Sequence, residues 1–309
     1  MTEETTAEAL AALDRVPLFE GLDRAAIRAE RLGGLTNRNY RVDCPAGRFV
    51  LRIAGEGTGE YIDRAAEEHD ARIAADAGVN AEVLFFDAAD GTMLTRYIAG
   101  ALTMTAETFR DLDRVRRAGV AFRRLHDCGR PFAKRFDPFA KIDEYLALID
   151  KLGARVPDGY DEALDEAGAV RAALARHPVA LAPCHCDPLA ENFLDTGART
   201  YIIDYEYAGN NDPMWDLGDL SVEAGFGRAQ DAALLEAYFD GPAPEAEAAR
   251  MVMHKAVCDV LWTLWGVLQV ANDNPAEDFW AYAVNRLDRC RGLMKTPEFA
   301  RALAALQGG

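Results

Sequence analysis

Near the N-terminus the apolar positions follow helical spacing. Leu10, Leu13 and Val16 fall at i, i+3 and i+6, and a second short helix can start at Asp23. The period then changes. GGLTNRNYRVD, CPAG and RFVLRIA (33–54) read as a strand, a glycine turn and two more strands, with Val42 and Phe49–Ile53 as the apolar positions. An amphipathic helix is expected from about Asp63 to Ala77, with Gly78 as its C-cap. Val83–Phe86 and Met93–Ile98 read as two strands joined by the polar turn DAADG. The order ββ(β)αββ predicts a small antiparallel sheet with one helix.

Beyond Ile98-Ala99-Gly100 the pattern turns helical. A helix is expected over about Ala106–His126, with Leu112, Val115, Val120, Phe122 and Leu125 inward, and two more over 138–152 and 160–176. A β-rich island interrupts them at Val179–Leu181, Asn192–Leu194 and Tyr201–Tyr205. Helices then cover Asp216–Phe226, Ala229–Phe239, Ala246–Val270, Ala276–Met294 and a short tail. The expected fold class is α+β: an N-terminal sheet lobe over 1–98 and a larger helical lobe over 99–309 carrying a short hairpin. A cleft between two lobes is where ligand sites tend to lie.

Charge narrows the partners. With 51 acidic and 34 basic residues the net charge is −17, which argues against nucleic acid or anionic lipid as the main partner. It suits a cationic small molecule, and it equally suits a solubility surface. The start MTEETTAEAL lacks a basic n-region and a long apolar run, so no signal peptide is expected. The apolar run Val257–Val270 spans 14 residues and contains Asp259 and Gln269. A bilayer span needs roughly 20. Six scattered cysteines without a CxxC pair read as free thiols in a reducing cytoplasm.

The densest chemistry lies in the island. His185-x-Asp187-x4-Asn192 is followed twelve residues later by Asp204, at the end of Ile202-Ile203-Asp204. An aspartate in a loop can hold a substrate hydroxyl and accept its proton. Asn192 and Asp204 offer oxygen ligands from adjacent strand ends, which suits Mg²⁺ bound to phosphate oxygens. This is the division of labour in phosphoryl transfer by protein kinases. A turn or core role would explain any one of these residues alone, but not the whole set in this order behind a sheet lobe. Zinc on Cys184, His185, Cys186 and Asp187 is disfavoured, because neighbours on an extended chain point to opposite sides and no second Cys/His pair follows.

The constellation resembles the aminoglycoside-phosphotransferase and choline-kinase superfamily, small-molecule kinases with the two-lobed protein-kinase-like fold, from about Leu32 to Arg289. The resemblance implies ATP as phosphoryl donor with Mg²⁺. It makes Asp187 the catalytic base, His185 the histidine that braces the catalytic loop, and Asn192 and Asp204 the metal ligands. GGLTNRNY, with Asn37, is similar to the phosphate loop of choline kinases. Arg52 in VLRIA stands where protein kinases keep a lysine, and its partner is expected at Glu67 rather than Glu68, since adjacent helix positions differ by about 100°. By the same resemblance, Arg96, Tyr97 and Ile98 are expected at the hinge whose backbone contacts adenine. Asp216, in the DLG stretch, is expected to brace a loop.

The acceptor is read from the helical lobe. Trp262 and Trp265 share a helix face, and Tyr282 sits on the next helix. Aromatic faces attract a quaternary ammonium. Alone, tryptophans at i, i+3 would read as core. Choline kinases, however, carry such a pair with a following tyrosine, and Glu206, Tyr207 and Glu223 also match their pocket; Arg228 stands where the eukaryotic pocket has a further aromatic. The resemblance implies a kinase of a small amino alcohol, choline foremost. Ethanolamine, thiamine or an aminoglycoside is the alternative acceptor, and a non-catalytic binding module on the same fold is the alternative class.

Overall fold

The computed structural model describes residues 3–33, 37–55 and 62–308. Helix α1 (Glu3–Leu13) precedes strands β1 (Arg28–Arg31), β2 (Arg38–Cys44) and β3 (Gly47–Ile53), helix α2 (Arg64–Asp76), and strands β4 (Val83–Asp87) and β5 (Thr92–Arg96). The strands form one antiparallel sheet in the order β1-β2-β3-β5-β4. Alternation sends Tyr40, Val42, Phe49, Leu51 and Leu94 into a core with Leu13 and Val16. Arg52, next along β3, therefore takes the opposite face. Asp63 caps α2 by accepting the Ala66 N–H at 3.1 Å, and Gly78 adopts φ +71° beyond its end, as the sequence implies. The helix expected at Asp23 is a single 3₁₀ turn, Arg24–Ala26. Residues 34–36 of the expected phosphate loop lie outside the described residues.

The rest of the chain forms β6 (Leu102–Thr103), α3 (Leu112–His126), α4 (Pro138–Leu152), α5 (Tyr160–Arg176), β7 (Ala182–Cys184), β8 (Phe193–Asp195), β9 (Thr200–Ile202), β10 (Gly209–Asn211), α6 (Pro213–Glu223), α7 (Arg228–Phe239), α8 (Glu245–Ala271), α9 (Phe279–Met294) and α10 (Pro297–Gln307). Helix α3 starts later than expected, because Asp111 caps it by accepting the Asp113 N–H. Val120, expected inward, is 40% exposed, since the buried stripe runs through Val115, Phe122 and Leu125. The island is two small sheets, β10-β7 and β6-β8-β9. The strand expected at Val179–Leu181 forms instead over Ala182–Cys184, and the one expected to reach Tyr205 stops at Ile202. Asp204 has φ +72°, which a pleated strand cannot accommodate.

Helix α8 matches the expected Ala246–Val270 to within one residue at each end. By length and composition it could cross a membrane, but 83% of its apolar window is buried inside the protein. It is the central helix of the C-terminal core, packed against α4, α6, α9 and α10. Two glycines set the close approaches. A Cβ on Gly218 would meet the Met251 carbonyl oxygen at 2.9 Å, and one on Gly266 would meet Tyr282 Cδ1 at 2.8 Å. These contacts bring α6 and α9 against α8 where the candidate pocket residues lie.

Candidate active site

The loop after β7 is held by the first turn of α6. One Asp216 oxygen accepts the His185 N–H at 2.7 Å, and the other accepts the Cys186 N–H at 2.8 Å. His126 Nε2 also reaches Asp216, at 3.0 Å. The Trp215 indole N–H donates to the Cys186 carbonyl at 3.2 Å. Both backbone polar groups of Cys186 are thereby fixed, and the residue is held at φ +67°, a costly conformation for a side chain of this kind. The kink presents Asp187 next in line. The expected bracing role of Asp216 matches this geometry.

His185 is fully buried and its Nε2–H donates to the Ile203 carbonyl at 2.8 Å. Burial lowers its pKa, so the ring is neutral. It ties the Asp187 loop to the segment that carries Asp204. It has no exposed surface with which to meet a substrate, so by its geometry it is a positioning residue. Asn192 sits opposite, where the Ile203 N–H donates to its carbonyl at 2.9 Å. The antiparallel β8–β9 pair thus brings Asn192 and Asp204 to one end. The Asn192 Nδ2 donates to the Asp187 carbonyl at 3.2 Å, which leaves its side-chain oxygen as the group available to a cation.

Asp204 has a buried oxygen, Oδ1, with no hydrogen-bond partner among the described residues, and Arg52 lies 3.6 Å from it. Arg52 is 3% exposed and pairs with Glu67; it also donates to the Gly91 carbonyl at 3.1 Å. Glu68 pairs instead with Arg72 on the outer side of the helix, at 2.9 Å. The choice of Glu67 is therefore met. Arg64 joins the network, at 2.7 Å from Glu67 and 3.2 Å from Glu206. Asn37 donates to Glu206 at 3.3 Å and accepts the Gly55 N–H at 3.3 Å. Glu206, expected with the acceptor, thus stands among Asn37, Arg64, Glu67 and Asp204. Burial, with Asp204 and Glu67 nearby, raises its pKa to about 7. At the expected hinge, the Arg96 and Tyr97 N–H groups donate to the Glu82 and Arg48 carbonyls at 2.9 and 3.1 Å. The Ile98 N–H has no partner among the described residues. Arg96 pairs with Glu82 at 2.6 Å and points away as an exposed side chain.

The aromatics expected around the acceptor form one connected, edge-to-face cluster. Tyr207 meets Trp262 at 5.9 Å, Trp262 meets Trp265 at 6.2 Å, and Trp265 meets Tyr282 at 5.6 Å between ring centroids. Phe279 extends the cluster, 5.4 Å from Trp265, and was not anticipated. Nor was Arg286. It lies one helical turn after Tyr282, with its guanidinium 4.7 Å from the Tyr282 ring centre, and it pairs with Glu223. Asp259 is shared between Arg286 at 3.4 Å and Arg289 at 2.5 Å. The spacing Tyr282-x3-Arg286 was the available signal, because residues four apart on a helix are neighbours. Burial, then the charges of Glu223, Asp204 and Glu206, push Asp187 well above the usual carboxylate range. Arg228, at the start of α7, is exposed.

Comparison with known proteins agrees with this architecture. Residues 28–252 match the phosphotransferase enzyme family. The chain is similar to a choline/ethanolamine kinase family protein of Mesorhizobium loti, with 53% identity, a TM-score of 0.90, and coverage of 99% of this chain and 100% of that one. It is similar to the choline kinase LicA of Streptococcus pneumoniae, with 26% identity, a TM-score of 0.74, and coverage of 96% and 99%. It is 29% identical over 286 residues to the protein LicA of Haemophilus influenzae, covering 90% of this chain and 83% of that protein. With its two-lobed kinase-like fold, the chain belongs to the phosphotransferase enzyme family, and within it to the choline/ethanolamine kinase family of small-molecule kinases.

Proposed function

We propose that this kinase transfers the γ-phosphoryl group of ATP to the hydroxyl of choline. The observation that carries the choice is the joined aromatic cluster beside a glutamate already neutralised from within. Arg286 holds Glu223, so the pocket offers a cation mainly the rings of Tyr207, Trp262, Trp265 and Tyr282. A trimethylammonium has no N–H to donate and is bound by such faces, each good contact worth about 0.5–2 kcal/mol. Asp187 receives or orients the hydroxyl proton. Burial and acidic neighbours favour the protonated carboxyl, and a cationic substrate beside it draws the pKa down again. His185 and Asp216 hold the loop in register.

Magnesium fits the residues present. Asp204 offers a buried oxygen without a hydrogen-bond partner, and the Asn192 amide is turned so that its oxygen is available. When bound there, the metal would neutralise charge on the transferring phosphates. Arg52, held by Glu67, adds fixed positive charge on the same side, and the Ile98 N–H is the hinge donor for adenine. All six cysteines are free, which suits the cytoplasm.

The test is ATP consumption with Mg²⁺ across choline, ethanolamine, dimethylethanolamine, thiamine and kanamycin. Choline-dependent turnover is expected. Turnover only with thiamine or kanamycin overturns the acceptor, and no turnover with any of them favours a binding module.

A further inference from the structure

Helix α2 carries Glu67, which holds Arg52, and the C-terminal lobe grips that helix along its length. The grip comes from one segment, residues 130–136, between α3 and α4. Lys134 Nζ lies 2.7 Å from Asp63, the N-cap of α2. The Ala133 N–H donates to Asp70 Oδ1 at 2.8 Å, one turn beyond Glu67. Arg130 pairs with Asp76 in the last turn, at 2.6 Å. The two outer ion pairs are exposed and contribute little. The central contact is made to a carboxyl that is 1% exposed.

The segment is irregular apart from one isolated bridge between Arg135 and Asn210. Its order comes from Asn210 on β10. The Asn210 side chain accepts the Phe132 N–H at 2.9 Å and donates to the Phe132 and Lys134 carbonyls at 2.7 and 2.8 Å. Its backbone N–H donates to the Lys134 carbonyl at 2.7 Å, and its carbonyl accepts the Phe136 N–H at 3.1 Å. Gly209 permits this approach, because a Cβ there would meet the Phe136 nitrogen at 2.9 Å. On its other side β10 pairs with β7, which leads into the Asp187 loop. Phe132 is buried and meets the ring of Tyr205, next to Asp204 in the chain, edge-on at 6.1 Å. Backbone groups in an irregular segment need partners, and here one asparagine side chain supplies several of them. None of its bonds is made to Arg52, Glu67 or Asp204, so its influence on them passes through α2.

We propose that Asn210 is a positioning residue for the nucleotide half of the site: it orders residues 130–136, which hold α2 and so set the Glu67–Arg52 pair beside Asp204. The assignment rests on the reading above, in which Arg52 adds positive charge on the side of the phosphates. Arg52 stands 3.6 Å from Asp204, so a shift of α2 changes the charge that this side presents. The aromatic cluster on α8 and α9 takes no part in these contacts.

The experiment measures the ATP Kd by titration calorimetry and the choline KM by ATP consumption, both with Mg²⁺, in the full chain and its variants. Asn210→Ala keeps the backbone bonds and removes those of the side chain. The ATP Kd should rise about three- to tenfold, the worth of one net hydrogen bond, with the choline KM unchanged. Glu67→Gln should weaken ATP binding by itself, and adding Asn210→Ala to it should weaken it little further, because both act through one pair. Asp70→Ala should repeat the effect of Asn210→Ala. Asp70→Asn should stay near wild type, because its amide oxygen still accepts the Ala133 N–H. The two Asp70 variants decide the matter if Asn210→Ala does not fold. An unchanged ATP Kd in folded Asn210→Ala, equal rises for ATP and choline, or losses that multiply with Glu67→Gln overturn the assignment while the kinase reading stands. A wild-type chain that binds no ATP overturns that reading and this assignment with it. One that binds ATP but does not use choline overturns only the acceptor, and the ATP Kd values still decide the role of Asn210.

Discussion

The proposed phosphate-transfer centre and the proposed acceptor pocket are built on different principles. The first is a backbone device. Cys186 and Asp204 hold positive φ, Asp216 clamps two consecutive N–H groups, and one β-pair sets Asn192 against Asp204. Its parts are close in sequence, so their spacing is informative. The pocket is a side-chain device drawn from α6, α8, α9 and the segment after β9. Its properties depend on which partner each group finds, and Arg286 alone changes what Glu223 can offer. Short-range geometry can be recognised as a motif; long-range charge pairing has to be seen.

The largest effect should separate chemistry from folding. Asp187→Ala is expected to lower kcat by about a hundredfold or more, in line with the worth of a positioned base. Its Tm and ATP binding should stay near wild type. Near-normal turnover in a folded variant would move the base elsewhere and dissolve the contrast between the two regions.

A second perturbation strikes what both regions share. Asp212 caps α6 and pairs with Arg250 and with His254 at 2.9 Å. Despite burial, His254 and the Arg250 guanidinium beside it hold its carboxyl well below the usual range. Its contribution is therefore present above the unfolded carboxylate pKa of about 4 and is lost as pH falls through the lower folded value. Asp212→Asn should cost about 3–5 kcal/mol at pH 7, typical of breaking a buried pair. Urea denaturation at pH 7 and again near pH 3 checks this, because the cost should shrink in acid. A cost independent of pH would show that the loss is one of packing.

The pocket is probed next. Trp262→Ala should raise the choline KM by about tenfold, from loss of a desolvated cation–π contact. The ATP KM should hold, since the nucleotide side rests on Arg52 and the hinge. An unchanged choline KM in a folded variant would make the ring a core residue only. Should that variant unfold, Tyr282→Ala serves in its place.

The smallest effect tests the two neighbouring glutamates. Glu68→Gln removes a partly exposed i,i+4 pair and should cost less than about 0.5 kcal/mol, with the ATP KM unchanged. Glu67→Gln, at the buried Arg52 pair, should raise that KM and lower Tm clearly. Equal effects would mean that Arg52 does not depend on Glu67.

The residues themselves determined a good deal. Period-2 and period-3.6 patterns placed four strands of the sheet and most helices to within a few residues, because one buried face leaves its mark at every turn or pleat, whereas β1 (Arg28–Arg31) falls in the stretch read as helical. The His185–Asp187–Asn192–Asp204 spacing singled out residues that the structure brings together, and the angular step of a helix chose Glu67 over Glu68 as the partner of Arg52. What tertiary structure decided was pairing between distant elements. Strands β6 and β10 are only two and three residues long, and only their partners β8 and β7 make them strands. Val120 fell outside the buried stripe, and the strand before Asp204 ended early because its backbone is held left-handed by its surroundings. Glu206 joined Asn37 and Arg64 across 169 and 142 residues, and Arg286 neutralised Glu223. Hydrophobic periodicity is a local property of the chain, whereas the charge a buried carboxylate carries is set by whichever groups folding packs beside it.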